Sequence, residues 1–295
     1  MVSLRGHVPP LPGEVSGVSR AMAVAGPLSR SVEDLELAME VLTRPHPSDP
    51  TVVPLRPLHD PPTSIAGLRI AWAGQLGGVP VSREITAAIG AFAERLRAAG
   101  ATVTRAEPRG FDYTRTWETW GALVGMQGGY ERGNVARWFG NLFVGGAVAN
   151  IPHQRRILEP ISVERYMETL GTAEQQAAAL EAFLADHDAW LVPVSSTAAI
   201  PHHAPSSQFG IFNVYDTPVR VDGVAVPYYV ATQAYATLFA VTESPVVAMP
   251  VGKTGGGLPI GVQVVGRRYQ DLRLLRVARL LSAAADPVRY PLAAR

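Results

Sequence analysis

Residues 68–104 constrain the fold more than any other stretch of this sequence. Leu68-Arg69-Ile70-Ala71 is short and apolar enough for a strand; Ile85, Ile89, Phe92 and Leu96 share one helical stripe; Gly100 stops that helix; and Ala101-Thr102-Val103-Thr104 returns as a strand. Strand, helix and strand in this order argue for a βαβ unit with a parallel pair. Further on, residues 245–251 and 258–265 read as two apolar strands joined by Gly252-Lys253-Thr254-Gly255-Gly256-Gly257, a content that suits an antiparallel hairpin with a mobile tip. Parallel and antiparallel pairs together make the expected fold class α/β, a mixed β-sheet flanked by helices, in one domain over residues 1–295.

Other helices are readable from their ends. Ser31 reads as an N-cap with Asp34 in the capping-box position, and Leu35, Ala38, Met39 and Leu42 then fall on one inward face until Pro45, Pro47 and Pro50 stop the helix. Thr172 to Leu184 reads as a helix leading into the buried strand Ala189-Trp190-Leu191-Val192, followed by a loop from Ser195 to Pro205. Asp271 reads as the cap of a last helix with Leu272, Leu275, Ala278 and Leu281 inward and arginines outward. Residues 111–160, with Trp117, Trp120, Tyr130 and Trp138 among glycines, show only weak periodicity, and residues 206–232 give no element.

Composition then narrows the chemistry. With 47% hydrophobic and 17% charged residues the chain can bury a core. A net charge of +1 leaves no electrostatic footprint for nucleic acid or an anionic membrane. The absence of cysteine excludes disulfides, thiolate nucleophiles and cysteine-ligated zinc. The first twenty residues, with Pro9, Pro10, Pro12, Gly13 and Glu14, hold no secretory apolar run, and no stretch is apolar enough to span a bilayer, so a cytoplasmic protein is expected.

Local motifs weigh mostly toward structure. Gly252-Lys253-Thr254 ends like a phosphate loop, but Val247 stands where that loop needs its first glycine and no helix follows, so a hairpin turn is the better reading. Gly13-Glu14-Val15-Ser16-Gly17 has the wrong register for a nucleophile elbow, which also needs a strand before the serine. Ser195-Ser196, just after a buried strand, is a better address, with His202 and His203 near in sequence as candidate bases. A polar loop on a pocket rim is the plainer account. The histidines form no metal spacing, Glu181, Asp186, His187 and Asp188 read as a solvated helix end, and no cofactor is implied. The tryptophan-rich middle reads as core, with a ring-lined cleft as the alternative.

Two segments carry a family resemblance. Gly26-Pro27-Leu28-Ser29-Arg30-Ser31-Val32-Glu33-Asp34, and Ser244-Pro245-Val246-Val247-Ala248-Met249-Pro250-Val251-Gly252 with Leu258-Pro259-Ile260-Gly261-Val262-Gln263-Val264-Val265-Gly266, resemble the amidase signature family; Asp188 to Val194 and the 68–104 unit fit it too. The resemblance implies hydrolysis of amide C–N bonds through a serine acyl-enzyme, with a Ser–Ser–Lys triad and an oxyanion hole of backbone N–H groups. It places that lysine and those serines before the part matched from Gly26, in motifs of the type Gly-Ser-Ser-Gly-Gly-Ser and Asp-Thr-Gly-Gly-Ser. Neither motif occurs here, and Lys253 is the only lysine.

The expectation is therefore an N-terminally truncated amidase-like domain, inactive as this chain, with no catalytic residue to carry over. The alternative is a non-catalytic homologue or one half of a split enzyme. The resemblance further implies that Tyr235 to Thr242 lies beside the acyl-binding cavity, which makes Phe239, Val241 and Thr242 the substrate-pocket candidates. Family members often have asparagine and glycine where this chain has Val241 and Glu243. Expected partners are a small-molecule amide once the site is completed, and a second polypeptide or another copy pairing at an exposed sheet edge.

Overall fold

In the computed structural model, which describes residues 7–8, 24–44, 55, 58–129, 133–135, 137–140, 142, 156–209 and 212–285, the βαβ unit is present. It comprises β1 (Arg69–Trp72), α2 (Arg83–Ala98) and β2 (Thr102–Arg105), preceded by α1 (Val32–Leu42). β1 and β2 pair in parallel, with Ile70 opposite Val103. Ser82 caps α2 by accepting the Ile85 N–H at 3.4 Å, and Ile85, Ile89, Phe92 and Leu96 are all buried. Gly100 follows the helix at φ +96°, a conformation that only glycine takes without a Cβ penalty.

The chain continues through α3 (Tyr113–Gly129), α4 (Val163–Leu184), β3 (Ala189–Pro193), β4 (Ser207–Phe209), β5 (Phe212–Val214), β6 (Val219–Val221), β7 (Val224–Val226), α5 (Tyr228–Val241), β8 (Val246–Lys253), β9 (Pro259–Val265) and α6 (Asp271–Ser282). The central sheet runs β2-β1-β3-β9-β8. β1 is parallel to β2 and β3, whereas β9 is antiparallel to β3 and β8, so the sheet is mixed. Alternation along the strands makes two cores. Ile70, Leu191, Met249, Val262 and Val264 pack under α1, α2 and α6; Ala71, Trp190, Val192 and Val265 pack under α3, α4 and α5.

Several local expectations change. On α1, Ser31 caps by accepting the Asp34 N–H at 3.1 Å, but the inward face runs through Val32 and Met39, and Leu42 is exposed. α4 begins at Val163 rather than near Thr172, because Ser162 accepts the Arg165 N–H at 3.2 Å and starts the helix there. Asp271 is the first residue of α6, not its cap; Gln270 holds the cap position without a side-chain bond. The β8–β9 tip is tethered: the Gly255 N–H donates to Glu84 Oε1 at 2.7 Å, which ties it to α2.

The unassigned stretch 206–232 holds two small hairpins. The second turns at Asp222-Gly223, φ +48° and +89°, the backbone that a two-residue hairpin loop demands. Among the described residues the tryptophans of this set do not share one environment. Trp117 is core, Trp138 is exposed, and Tyr130 lies outside the described residues with Ser16 and the prolines after α1. No helix among the described residues is long and apolar enough to cross a membrane.

Candidate functional site

α5 is the element that carries the sequence-derived pocket residues, and side chains bolt it to the rest of the fold. The Tyr235 hydroxyl donates to the Val79 carbonyl at 2.7 Å, which fixes the loop after β1. Trp117 Nε1 on α3 donates to the Ala234 carbonyl at 2.8 Å. Gln263 Nε2 on β9 bridges the carbonyls of Pro193 (2.8 Å) and Tyr235 (3.2 Å). Four parts of the fold thus meet on one helix, so its position is set by buried hydrogen bonds as well as by packing.

Phe239, Val241 and Thr242 come together at the C-terminal end of α5, all buried. Phe239 stands edge-on to Trp190 of β3 with ring centroids 6.1 Å apart. Thr242 Oγ1 lies 3.0 Å from Ser244 Oγ, and its carbonyl accepts Arg268 Nε at 2.7 Å. The half-open positions of α5 are instead Tyr228, Tyr229, Thr232, Gln233, Ala236 and Ala240. Sequence reasoning missed these because a helix that is apolar nearly all round does not announce which face is left uncovered. Glu243 sits at φ +54°, a left-handed conformation, and Arg268 Nη2 lies 3.7 Å from its carboxylate. A glycine at this position would take that backbone freely, which gives the resemblance a physical reason at this residue.

At the carboxyl ends of β1 and β3 the expected serines are placed but not activated. Ser195 Oγ donates to the Thr197 carbonyl at 2.6 Å. Ser196 is fully buried; its N–H donates to the Ala231 carbonyl and its carbonyl accepts the Ser82 N–H, both at 2.8 Å, while its Oγ has no partner among the described residues. His203 stands edge-on to the Tyr228 ring at 6.2 Å, His202 is exposed, and neither bonds to these serines. The nearby phenols are no bases either: burial, then the Glu107 carboxylate that accepts from Tyr113 at 2.6 Å, pushes Tyr113 well above the usual tyrosine range. Burial pushes Tyr235 up as well.

At the opposite, amino-terminal end of β1 and β3 lies a cleft of about 860 Å³ lined by Arg69, Arg267, Arg273, Asp188 and His187 among others. Its charges are spent on one another. Asp188 accepts the Arg69 N–H at 2.9 Å and Arg273 Nη2 at 2.7 Å; Glu181 accepts Arg267 Nε at 3.2 Å and the Arg268 N–H at 2.7 Å. Among the described residues no cluster of histidine, aspartate and glutamate is placed to hold a metal ion.

The family model for Amidase matches residues 2–275, nearly the whole chain. The chain belongs to the amidase family. It is similar to an acylamidase of Rhodococcus erythropolis, 24% identical over 263 residues that cover 87% of this chain and 51% of that protein. It is also similar to an indoleacetamide hydrolase of Bradyrhizobium diazoefficiens, 25% identical over 98% of this chain and 52% of the relative. Among solved structures, fatty acid amide hydrolase superposes with a TM-score of 0.67 at 20% identity, over 95% of this chain and 52% of that one, a likeness of fold. The chain spans about half the length of the curated relatives it matches. β8 and β9 form the hairpin made by the Ser244–Gly266 segment that carries the resemblance, and α5 carries the segment expected beside the acyl cavity.

Proposed function

We propose that this chain is the scaffold and pocket-bearing portion of an amide C–N hydrolase that works through a serine acyl-enzyme, and that the 295 residues alone do not turn over amides. The observation that carries the second half is the placement of Lys253: the only lysine in the sequence is exposed at the end of β8, beside a hairpin tip and away from any activated serine. A serine needs a base to take its proton, and neither Ser195 nor Ser196 has one. Losing a triad serine costs on the order of a million-fold in turnover, so supporting groups cannot make up for its absence.

In this reading Phe239, Val241 and Thr242 stand behind the acyl pocket, in the core, and set the position of the α5 face that bounds it. Phe239 fixes how closely α5 lies on Trp190, and Thr242 ties the end of the helix to Arg268. The substrate is a small amide, and the lysine and two serines come from residues outside this set. The test mixes the purified chain with the amino-terminal half of a family member such as the Rhodococcus acylamidase. Aryl-amide turnover that needs both polypeptides, and that a serine-directed phosphonate stops, supports the reading. Undiminished hydrolysis by the chain without the added half contradicts it.

A further inference from the structure

Residues 133–135, 137–140 and 142 are helical, and this stretch turns a stripe of apolar side chains outward. Val135, Trp138, Phe139 and Leu142 recur at i, i+3, i+4 and i+7 and are 72%, 57%, 49% and 65% exposed. The inward side carries an arginine. Arg137 is buried and donates to the carbonyls of Gly125, Ile157 and Glu159 at 2.7–2.9 Å, so the outward stripe is held in place by a guanidinium fork rather than left by loose docking. Trp138 and Phe139 brace one another edge-on at 4.9 Å.

A second exposed apolar stripe begins beside the first. Asn134 brackets Ile161, donating to its carbonyl at 3.0 Å and accepting its N–H at 2.8 Å. Two residues later α4 starts, and Val163, Tyr166 and Met167 on its first turns are exposed as well. From these observations we infer that the two stripes form one surface and that its occupant is a second copy of this chain, packed about a two-fold axis.

Area and charge both favour that occupant. Seven large side chains exposed to this extent, three of them aromatic, offer on the order of 700 Å², close to the ~800 Å² per partner of a standard interface and above the patch a monomer usually leaves bare. The rim carries both signs: Arg156 and Arg165 share Glu159 at 2.8 and 3.2 Å, and Glu164 and Glu168 stand exposed beside Met167. Two such surfaces do not repel one another, whereas the exposed carboxylates oppose an anionic bilayer. The interface is distinct from the edges β2 and β8 of the sheet.

Sedimentation velocity of the intact chain across a concentration series should show a reversible monomer–dimer equilibrium. The double substitution Trp138→Glu with Phe139→Glu should weaken it by at least about ten-fold, with the far-ultraviolet spectrum and melting temperature unchanged. Because the chain has no cysteine, Val135→Cys provides a second measurement that leaves the rings intact: oxidation should cross-link it into dimers, while Leu258→Cys at the β8–β9 tip should stay monomeric. A chain that is monomeric throughout overturns the inference, as do dimers that survive the double substitution or cross-link through Leu258→Cys alone. Monomers that bind phosphatidylcholine vesicles through Trp138 would reassign the surface to a bilayer. A double variant that melts earlier as a monomer would reassign it to a contact within the chain.

Discussion

Arg137 shows how much of this molecule rests on single polar side chains. Its guanidinium satisfies three main-chain carbonyls on two segments, and Gly125, whose carbonyl it takes, lies so close to Ile157 that an added Cβ would stand 2.2 Å from the Ile157 oxygen. Arg137→Ala should cost about 3 kcal/mol or more, because charged hydrogen bonds are lost and buried carbonyls are left unpaired. Arg137→Lys should recover only part of it, lacking the fork; chemical denaturation of the two variants checks both. At Glu243 the effects oppose one another. Glu243→Gly releases the strain of φ +54° but gives up Arg268, so its stability should stay within about 1 kcal/mol of the parent, whereas β-branched Glu243→Val should lose more than that. Arg137 was not legible beforehand, because a buried arginine reads as surface in a sequence, whereas Glu243 was marked only through the family resemblance, a positive φ at glutamate leaving no pattern of its own.

At the scale of elements, legibility followed which residue type faces inward. α2 could be read because its buried positions are aliphatic or aromatic and keep the helical period, and the β8–β9 hairpin because two short, mostly apolar runs flank a glycine-rich tip. α3 could not. Its buried face includes Thr116 and Thr119, whose hydroxyls bond back to the carbonyls of Asp112 and Arg115 at 2.7 Å, so core positions wear polar side chains. The first turns of α4 hid for the opposite reason: their apolar residues point outward. α5 was not read as a helix: the family resemblance singled out only its Tyr235–Thr242 segment. Two tyrosines, the half-buried Tyr113 that opens α3 and the buried Tyr235 on α5, make a testable prediction. Tyr113 and Tyr235 both have folded pKa values raised above the unfolded value of about 10. Their contribution is therefore complete below about pH 10 and is lost as pH climbs beyond it, when the unfolded phenols ionise and the folded ones do not. Thermal melts should fall steeply from about pH 10 upward, with phenolate absorbance appearing together with unfolding. Tyr235→Phe should flatten that fall while costing about 1 kcal/mol at neutral pH for the lost bond to Val79.

For the whole molecule, the mixed sheet with helices on both faces and the amidase family were both legible, because two separated segments and a βαβ unit carried them. The substrate-pocket candidates came from the family resemblance alone. Phe239, Val241 and Thr242 lie together but face the core, and what stands over Ala236 and Ala240 is decided by tertiary packing that no period encodes. The central proposal is that this chain supplies the framework of an amide hydrolase without its nucleophile. The most direct test is to incubate the purified 295-residue chain with an aryl amide and a serine-directed phosphonate, following product release and intact mass. The expected result is no turnover and no adduct. Turnover above the uncatalysed rate, stopped by one stoichiometric phosphonate on a serine of this chain, would contradict it.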